Sequence, residues 1–301
     1  MCEIDCFVKY GNLYIGNQSV TENGLDCVDW NGEYGLNGTM CRNPTNEESP
    51  WCYVSEDHTL RDFCDNECPE GEEYNPYLQA AVSTLSTGPV GIGDREIHLN
   101  KDLILRSCRA DGRLLKPSKP LTVIDRYFLS DDQLDIWTSD VTISEQTYGI
   151  IFLVDIEENL IFKSSELNLN NALSTNFLQW QNYPTTSFSY TLVDVGSDVN
   201  IPSCSGFMTF CLHYTSPVLS VGGTELAILG ERSKWTPIAM DRISNIDIQS
   251  STVIVDVIGS SGEEVIISFW SNVDDIFDIT CLFTADGVAS IDTDRKVCVT
   301  M

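Results

Sequence analysis

The chain has 301 residues, 42% of them hydrophobic, which is enough for two or three folded domains. Its 17 Lys and Arg against 45 Asp and Glu give a formal net charge of −28, so a nucleic acid or an anionic membrane surface is not expected as a primary partner. No apolar run reaches the length of about 18 residues that a membrane span requires, so no span is expected.

Cysteines are concentrated at the start of the chain. Zinc binding is one explanation, but no pair has the C-x2-C spacing of a zinc site and the three histidines form no cluster. A small disulfide-bonded module outside the cytosol is therefore predicted, and no metal or other cofactor is expected. Of the 12 cysteines, seven belong to this block: Cys2, Cys6, Cys27, Cys41, Cys52, Cys64 and Cys68.

Two N-glycosylation sequons, at Asn17 and Asn37, lie in the same block and agree with an extracellular protein. The start MCEIDC has neither the basic nor the apolar region of a signal peptide. Because an oxidised module needs an export signal, the true N-terminus is expected to be missing from this sequence.

The cysteine block carries a characteristic set of turns and aromatic residues, including Trp30, the Cys-Arg-Asn-Pro turn at 41–44 and Pro-Trp-Cys-Tyr at 50–53. Residues 6–68 thereby resemble a kringle domain, shortened between its second and third cysteines. Spacing alone leaves the pairing of six cysteines open. The resemblance implies three bridges, which would stabilise a module too small to bury much surface: Cys6–Cys68, Cys27–Cys52 and Cys41–Cys64.

Many kringles bind lysine in a trough with aromatic walls and paired carboxylates at one end. The resemblance places Thr45 and Glu47 at the acidic positions, so one carboxylate is retained. It places Arg61 at a position that is usually aromatic, where it would repel an ammonium group. Glu47, Trp51 and Tyr53 are therefore the candidate ligand-binding residues of a degenerate lysine site. The alternative is a kringle that serves as a spacer or a protein contact.

A polar linker leads from the kringle into a predicted helix over 75–87, capped by Asn75. The Gly-rich stretch GPVGIGD at 88–94 predicts a short strand that ends at Asp94. A second helix, capped by Asn100, is predicted over 100–112. This order is typical of a parallel α/β unit.

With the continuation DGRLLKPSKPLTVIDRYF, residues 76–128 resemble the end of the catalytic barrel in raffinose-synthase-like and α-galactosidase-like glycoside hydrolases. The resemblance implies a sugar contact for Asp94, at the tip of the last barrel strand; a helix or loop cap is the alternative. The paired catalytic carboxylates of such enzymes would lie upstream of residue 76, where only the kringle stands. No catalytic residue is therefore assigned in this chain.

Residues 120–301 alternate strand-like runs with turns and predict an antiparallel β-sandwich. Residues 157–159, 259–262 and 286–287 are interpreted as hairpin turns. Cys281 and Cys298 flank the last of these turns and are expected to form a cross-strand bridge. Cys204 and Cys211 could form another bridge, and Cys108 is expected to be a buried free thiol.

The predicted fold class is mainly β, with a kringle over 1–69, a short α/β barrel remnant over 70–119 and a β-sandwich over 120–301. The predicted function is that of a secreted binding protein with a non-catalytic, hydrolase-derived body, whose ligand is an extracellular protein bearing lysine or a carbohydrate. The alternative is the C-terminal fragment of a secreted glycoside hydrolase with its catalytic Asp residues upstream.

Overall fold

The computed structural model describes residues 18–45, 47, 49–64, 75–91, 100–125, 135–167, 176–183, 188–194, 196–204 and 209–300. The chain divides into two compact units, Met1–Tyr74 and Asn75–Met301, which are called here the N-terminal unit and the C-terminal unit. The C-terminal unit contains both the predicted barrel remnant and the predicted sandwich. The three-segment division made from the sequence stays a prediction.

The described secondary structure is mostly β. The N-terminal unit contains a 3-10 turn at Glu33–Gly35 and the strands β1 (Trp51–Tyr53) and β2 (Arg61–Phe63). The C-terminal unit contains α1 (Pro76–Leu85), α2 (Lys101–Leu105), a 3-10 turn at Ser164–Leu167 and the strands β3 (Thr122–Val123), β4 (Ile136–Ile143), β5 (Gln146–Val154), β6 (Leu160–Lys163), β7 (Phe177–Tyr183), β8 (Ser189–Val193), β9 (Asp198–Ile201), β10 (Phe210–Val221), β11 (Thr224–Gly230), β12 (Ile243–Ile248), β13 (Val253–Gly259), β14 (Glu264–Ser271), β15 (Asp275–Leu282), β16 (Gly287–Asp292) and β17 (Val297–Thr300).

Half-cystines and tryptophans form the core of the N-terminal unit. Trp30 and Trp51 are each 1% exposed, and their ring centroids lie 4.8 Å apart. The disulfides that surround them are Cys27–Cys52 and Cys41–Cys64, the pairs that the kringle resemblance implies. The third implied pair, Cys6–Cys68, lies outside the described residues. A module with so few aliphatic side chains depends on such covalent links.

The first helix of the C-terminal unit begins where its sequence predicts. The Asn75 side chain accepts a hydrogen bond from the backbone N–H of Leu78 at 3.0 Å, and Pro76 is the first helical residue. Ala81 and Leu85 bury the inner face of α1 against the large sheet. Neither helix in the described residues has the length and the apolar run needed to cross a membrane.

The second helix is shorter than predicted. Asn100 caps it as expected, accepting from the Leu103 N–H at 3.0 Å, but α2 ends at Leu105 instead of continuing to residue 112. Residues distant in sequence donate hydrogen bonds to the backbone carbonyls at the end of this helix. The Lys234 ammonium donates to Leu105 O at 2.7 Å, and Trp235 N–H donates to Arg106 O at 2.9 Å. These tertiary hydrogen bonds replace the ones that would continue the helix.

All strand pairs among the described residues are antiparallel. The large sheet has the order β15-β14-β11-β10-β5-β4-β3, with β7 also paired to β10 and β8 paired to β7. A second sheet has the order β12-β13-β16-β17, and β6 pairs with β9. The mainly β, antiparallel fold is confirmed. Residues 88–91 of the predicted parallel strand form no strand, and 92–94, including Asp94, lie outside the described residues.

The two larger sheets share one apolar core and so form a sandwich. Val255 and Ile291 of the four-stranded sheet contribute to it together with Ile228 and Ile267 of the large sheet. Successive side chains of β5 and β10 point to opposite faces of the large sheet and enter two further cores. One core lies under α1, and the other lies under β6 and β9.

The turns interpreted as hairpins connect strands of different sheets, so that interpretation was wrong. Residues 157–159 lead from β5 to β6, 259–262 from β13 to β14, and 286–287 from β15 to β16. Turn residues indicate that the chain reverses, but they do not specify which strand it pairs with next.

The cysteines of the C-terminal unit show the same crossing between sheets. Cys281 and Cys298 are bonded, but the bridge joins β15 of the large sheet to β17 of the four-stranded sheet rather than two strands of one hairpin. Cys204 is bonded to Cys211. Cys108 is buried and free, and burial raises the pKa of its thiol.

Candidate ligand-binding site

A short turn and the first strand of the N-terminal unit position the three candidate residues. The Asn43 side chain closes the turn, because it accepts from Glu47 N–H at 2.9 Å and donates to Glu47 O at 2.8 Å. Trp51 and Tyr53 are two residues apart on β1 and therefore lie on the same face. Their ring centroids are 5.2 Å apart in an edge-to-face arrangement.

Arg61 lies against two of the three candidate residues, Glu47 and Trp51. Its guanidinium Nη2 lies 3.0 Å from Glu47 Oε1, and its Cζ lies 4.8 Å from the centre of the Trp51 ring. The Trp51 indole N–H donates to the Thr45 hydroxyl at 3.1 Å, so the residue that replaces the second carboxylate binds the aromatic wall. The structure therefore brings Glu47, Trp51 and the cationic Arg61 into contact.

A second polar cluster adjoins this site and was not identified from the sequence. His58 Nδ1 lies 3.0 Å from Glu33 Oε1, and His58 Nε2 lies 2.8 Å from Asp29 O. The Tyr53 hydroxyl donates to Glu33 Oε2 at 2.7 Å, and the Tyr53 and His58 rings stack at 4.3 Å. A carboxylate and a carbonyl only accept, so in the protonated imidazolium both nitrogens donate, one to Glu33 and one to Asp29 O. The Asn31 amide nitrogen also lies 3.3 Å from Nε2.

The pKa values in this cluster shift in agreement with these hydrogen bonds. The hydrogen bond with Glu33 raises the pKa of His58 above its ordinary value, although partial burial opposes the change. The hydrogen bonds from Tyr53 and then His58 lower the pKa of Glu33. The hydrogen bond to Glu33, together with burial, raises the pKa of Tyr53 to about 12. Glu33 and His58 are 25 residues apart in sequence, so no local spacing indicates that they meet.

The His58 cluster predicts that the stability of the N-terminal unit depends on pH. Because folding raises the pKa of His58, the stabilisation that His58 provides is complete below its ordinary pKa of about 6.5 and is lost as the pH rises through the folded pKa. Because folding lowers the pKa of Glu33, the stabilisation that Glu33 provides is complete above its ordinary pKa of about 4.5 and is lost as the pH falls through the folded pKa. Thermal unfolding followed by tryptophan fluorescence should therefore show maximal stability between these limits.

The variant His58→Gln provides the control, because glutamine keeps hydrogen-bonding groups but does not titrate in this range. It should remove the fall in the transition temperature of the N-terminal unit above about pH 6.5. An equal fall in the variant and the original chain would show that another group is responsible.

The four half-cystine sulfurs of the core, those of Cys27, Cys41, Cys52 and Cys64, lie within 4.8 Å of one another. A cluster of this size resembles a tetrahedral metal site. The sulfurs are paired as disulfides, however, and a metal would need them as thiolates. The cluster therefore serves as covalent structure.

Other predicted site residues lie apart from this surface or outside the described residues. Asn37 is exposed in an irregular segment, which suits a glycosylation acceptor, and its modification stays a prediction. The sequon at Asn17 and the predicted sugar contact Asp94 lie outside the described residues.

The amino-acid sequence of the chain is similar to those of several known proteins. The chain is 31% identical over 109 residues to tissue-type plasminogen activator from Mus musculus, a match that covers 29% of this chain and 20% of the activator. It is 33% identical over 106 residues to hepatocyte growth factor activator serine proteases from Canis lupus familiaris, covering 29% of this chain and 16% of that protein. Plasminogen from Capra hircus is 31% identical over 84 residues, which cover 23% of this chain and 68% of the plasminogen sequence.

The chain belongs to the kringle-containing proteins. The two central disulfides and the aromatic core agree with this assignment. The chain spans only about a fifth of the mouse activator's length, so the similarity describes the kringle and not the whole of that protein. No model of a known protein family matches the chain.

Proposed function

We propose that this kringle-containing protein acts outside the cell as a binding protein and that its kringle contacts a partner protein. The described residues contain four disulfides, which persist in an oxidising compartment. The similarity to plasminogen and to tissue-type plasminogen activator supports the same setting.

The charge of the kringle suggests the chemistry of that partner. Residues 1–70 contain 3 Lys and Arg and 14 Asp and Glu, a difference of −11. Tyr34 and Leu60 are exposed by 57% and 62%, so apolar contact area lies on the same acidic module. A partner segment rich in Lys or Arg would be attracted electrostatically and could bury these side chains.

Free lysine is expected to bind the kringle weakly, and this part of the proposal rests on the position of Arg61. The Arg61 guanidinium already pairs with Glu47 at 3.0 Å and covers the Trp51 ring at 4.8 Å. An incoming ammonium group would have to displace Arg61, and it would gain only the carboxylate and the ring face that Arg61 gives up. The kringle therefore discriminates against single lysine side chains while its remaining surface stays available.

Replacing Arg61 with glutamine is expected to create lysine binding. The change releases the Glu47 carboxylate and the Trp51 face, so the affinity of the full chain for 6-aminohexanoic acid should rise by about tenfold or more. Titration calorimetry measures the gain. The unaltered chain should bind a lysine- and arginine-rich peptide more tightly at low salt than at high salt, because exposed charges are screened.

Arg295→Gln is the matched control, because it removes one exposed arginine from the C-terminal unit. It should leave both affinities unchanged. If the unaltered chain binds 6-aminohexanoic acid as tightly as Arg61→Gln does, Arg61 does not occupy the site. If the basic peptide does not bind at any salt concentration, the proposed class of partner is wrong.

The alternative function, a fragment of a glycoside hydrolase, gains no support from the similar proteins, which are kringle-bearing. Among the described residues, the segment that resembled the end of a barrel pairs only in antiparallel fashion, through β3 with β4 and through a bridge between Cys108 and Leu114. We therefore do not propose hydrolysis for this chain.

A further inference from the structure

A cavity of about 350 Å³ opens in the C-terminal unit beside β7, β8, β9 and β10. On β7, Gln179 lies opposite Thr191 of β8, and Gln181 lies opposite Ser189. Gln181 also lies opposite His213 of β10. Residues directly opposite in a sheet share a face, so these five side chains form one polar row across three strands. Such a row is unusual on a sheet face whose neighbouring part is a buried apolar core.

His213 is the most informative residue of the row. Its side chain is 3% exposed, and its Nε2 has no hydrogen-bond partner within the described part of the chain. Burial lowers the pKa of His213 to about 4, so the imidazole is neutral at physiological pH. Buried polar atoms are almost always hydrogen-bonded to protein, water or a ligand. Nε2 is itself buried, so it lies behind the wall of the cavity, and His213 contributes a neutral imidazole ring to the lining.

Further polar groups line the cavity beside apolar side chains such as Leu192 and Pro202. Gln179 is 6% exposed and donates to Asn200 O of β9 at 2.9 Å, which connects β9 to the floor of the cavity. Asp194 and Asp198 add carboxylates, and both are exposed at the rim. The cavity thus has amides and a neutral imidazole inside and acceptors at its mouth.

This lining selects one class of small molecule. The described lining contains no Lys or Arg, and its two carboxylates repel anions. An apolar ligand would offer no hydrogen bond to the hydroxyl groups of Ser189 and Thr191 or to the two carboxylates. A molecule with several hydroxyl groups can donate to carboxylates and accept from the amides, and the cavity has the size of a small-ligand site.

We propose that this cavity binds a neutral saccharide, whose hydroxyl groups hydrogen-bond to the side chains of the polar row, Gln181, Ser189 and Thr191. The site lies in the C-terminal unit and is independent of what the kringle binds. It would give the protein a second ligand class.

The test uses the full chain and a glycan array that carries neutral, acidic and amine-bearing saccharides, followed by titration of the best ligand. The variant Thr191→Trp places a large side chain at the exposed rim of the cavity, where a strand tolerates an aromatic residue. Thr280→Trp makes the same change at an exposed position of β15 outside the cavity and is the matched control.

A neutral saccharide should bind, Thr191→Trp should weaken its binding by about tenfold or more, and Thr280→Trp should leave it unchanged. The imidazole ¹⁵N signals of His213 should shift on ligand addition. Absence of binding to any neutral saccharide, a preference for acidic or amine-bearing saccharides, or equal binding by Thr191→Trp would each overturn the proposal.

Discussion

Replacing Arg242 with methionine is expected to lower the free energy of unfolding of the C-terminal unit by about 3–5 kcal/mol. Arg242 has no exposed surface, and its Nε and Nη2 lie 2.8 Å from Glu231 Oε2 and 2.7 Å from Glu263 Oε1. Its Nη1 also donates to Ile258 O. Methionine fills much of the space but leaves two buried carboxylates without their main partner. Urea unfolding of the full chain measures the loss.

The matched control for this change is Arg295→Met. Arg295 is largely exposed and lies 3.7 Å from Asp292, so its removal should cost at most about 1 kcal/mol. Converting the carboxylates to amides together with the arginine, in Arg242→Met/Glu231→Gln/Glu263→Gln, should recover part of the loss because no unpaired charge stays buried. Equal losses for Arg242→Met and Arg295→Met would contradict the predicted role of the network.

The pH dependence of the loss separates charge from packing. Burial acts to raise the pKa of Glu263, but hydrogen bonds from Arg242, Ser260 N–H and Ala110 N–H outweigh it and hold that pKa below its usual range. In Arg242→Met the largest of these hydrogen-bonding contributions is gone, so the pKa of Glu263 should rise. The difference in stability between the variant and the original chain should then shrink as the pH falls and the carboxylates become protonated. A pure packing defect would be independent of pH.

The same network shows why residues 100–116 belong to the C-terminal unit. Glu263 accepts from Ala110 N–H at 3.1 Å, and the Lys234 ammonium donates to Cys108 O at 2.9 Å. Arg109 reaches Asp241 O at 3.0 Å. These hydrogen bonds connect residues more than 100 positions apart, so a segment that resembled the end of a barrel is tied to strands far along the chain.

The starts of the two helices were predictable from the sequence. Asn75 and Asn100 cap their helices because a cap depends on residues three positions away. The predicted pairs Cys27–Cys52 and Cys41–Cys64 form, and these came from the kringle resemblance rather than from spacing.

Long-range partners were not predictable from the sequence. Cys281 and Cys298 were paired correctly but assigned to one hairpin, because a turn does not specify the sheet to which the next strand belongs. Arginine is usually found at the surface, and only the fold shows that Arg242 is buried. The candidate site shows the same limit: Arg61 was expected to repel an ammonium group, but its ion pair with Glu47 and its position over the Trp51 ring were not predicted.

Removing the Cys27–Cys52 bridge by replacing both cysteines with alanine is expected to unfold the kringle while the C-terminal unit stays folded. The two residues are 7% and 0% exposed and lie in a core that consists of half-cystines and tryptophans. A bridge of this kind contributes about 2–4 kcal/mol, which is most of the stability available to so small a module. Trp30 and Trp51 should then lose their near-ultraviolet circular dichroism, and the kringle should be cleaved by protease.

The double replacement Cys281→Ala/Cys298→Ala is the matched control, and it is expected to lower stability without unfolding either unit. Its bridge closes a shorter interval, 17 against 25 residues, and joins strands that already pair with β14 and β16. A large shared core holds those two sheets together, so the C-terminal unit should remain folded with a transition temperature lowered by several degrees. If Cys27→Ala/Cys52→Ala retains the kringle's protease resistance, aromatic packing suffices and the bridge is dispensable. If it unfolds the C-terminal unit too, the two units do not fold independently.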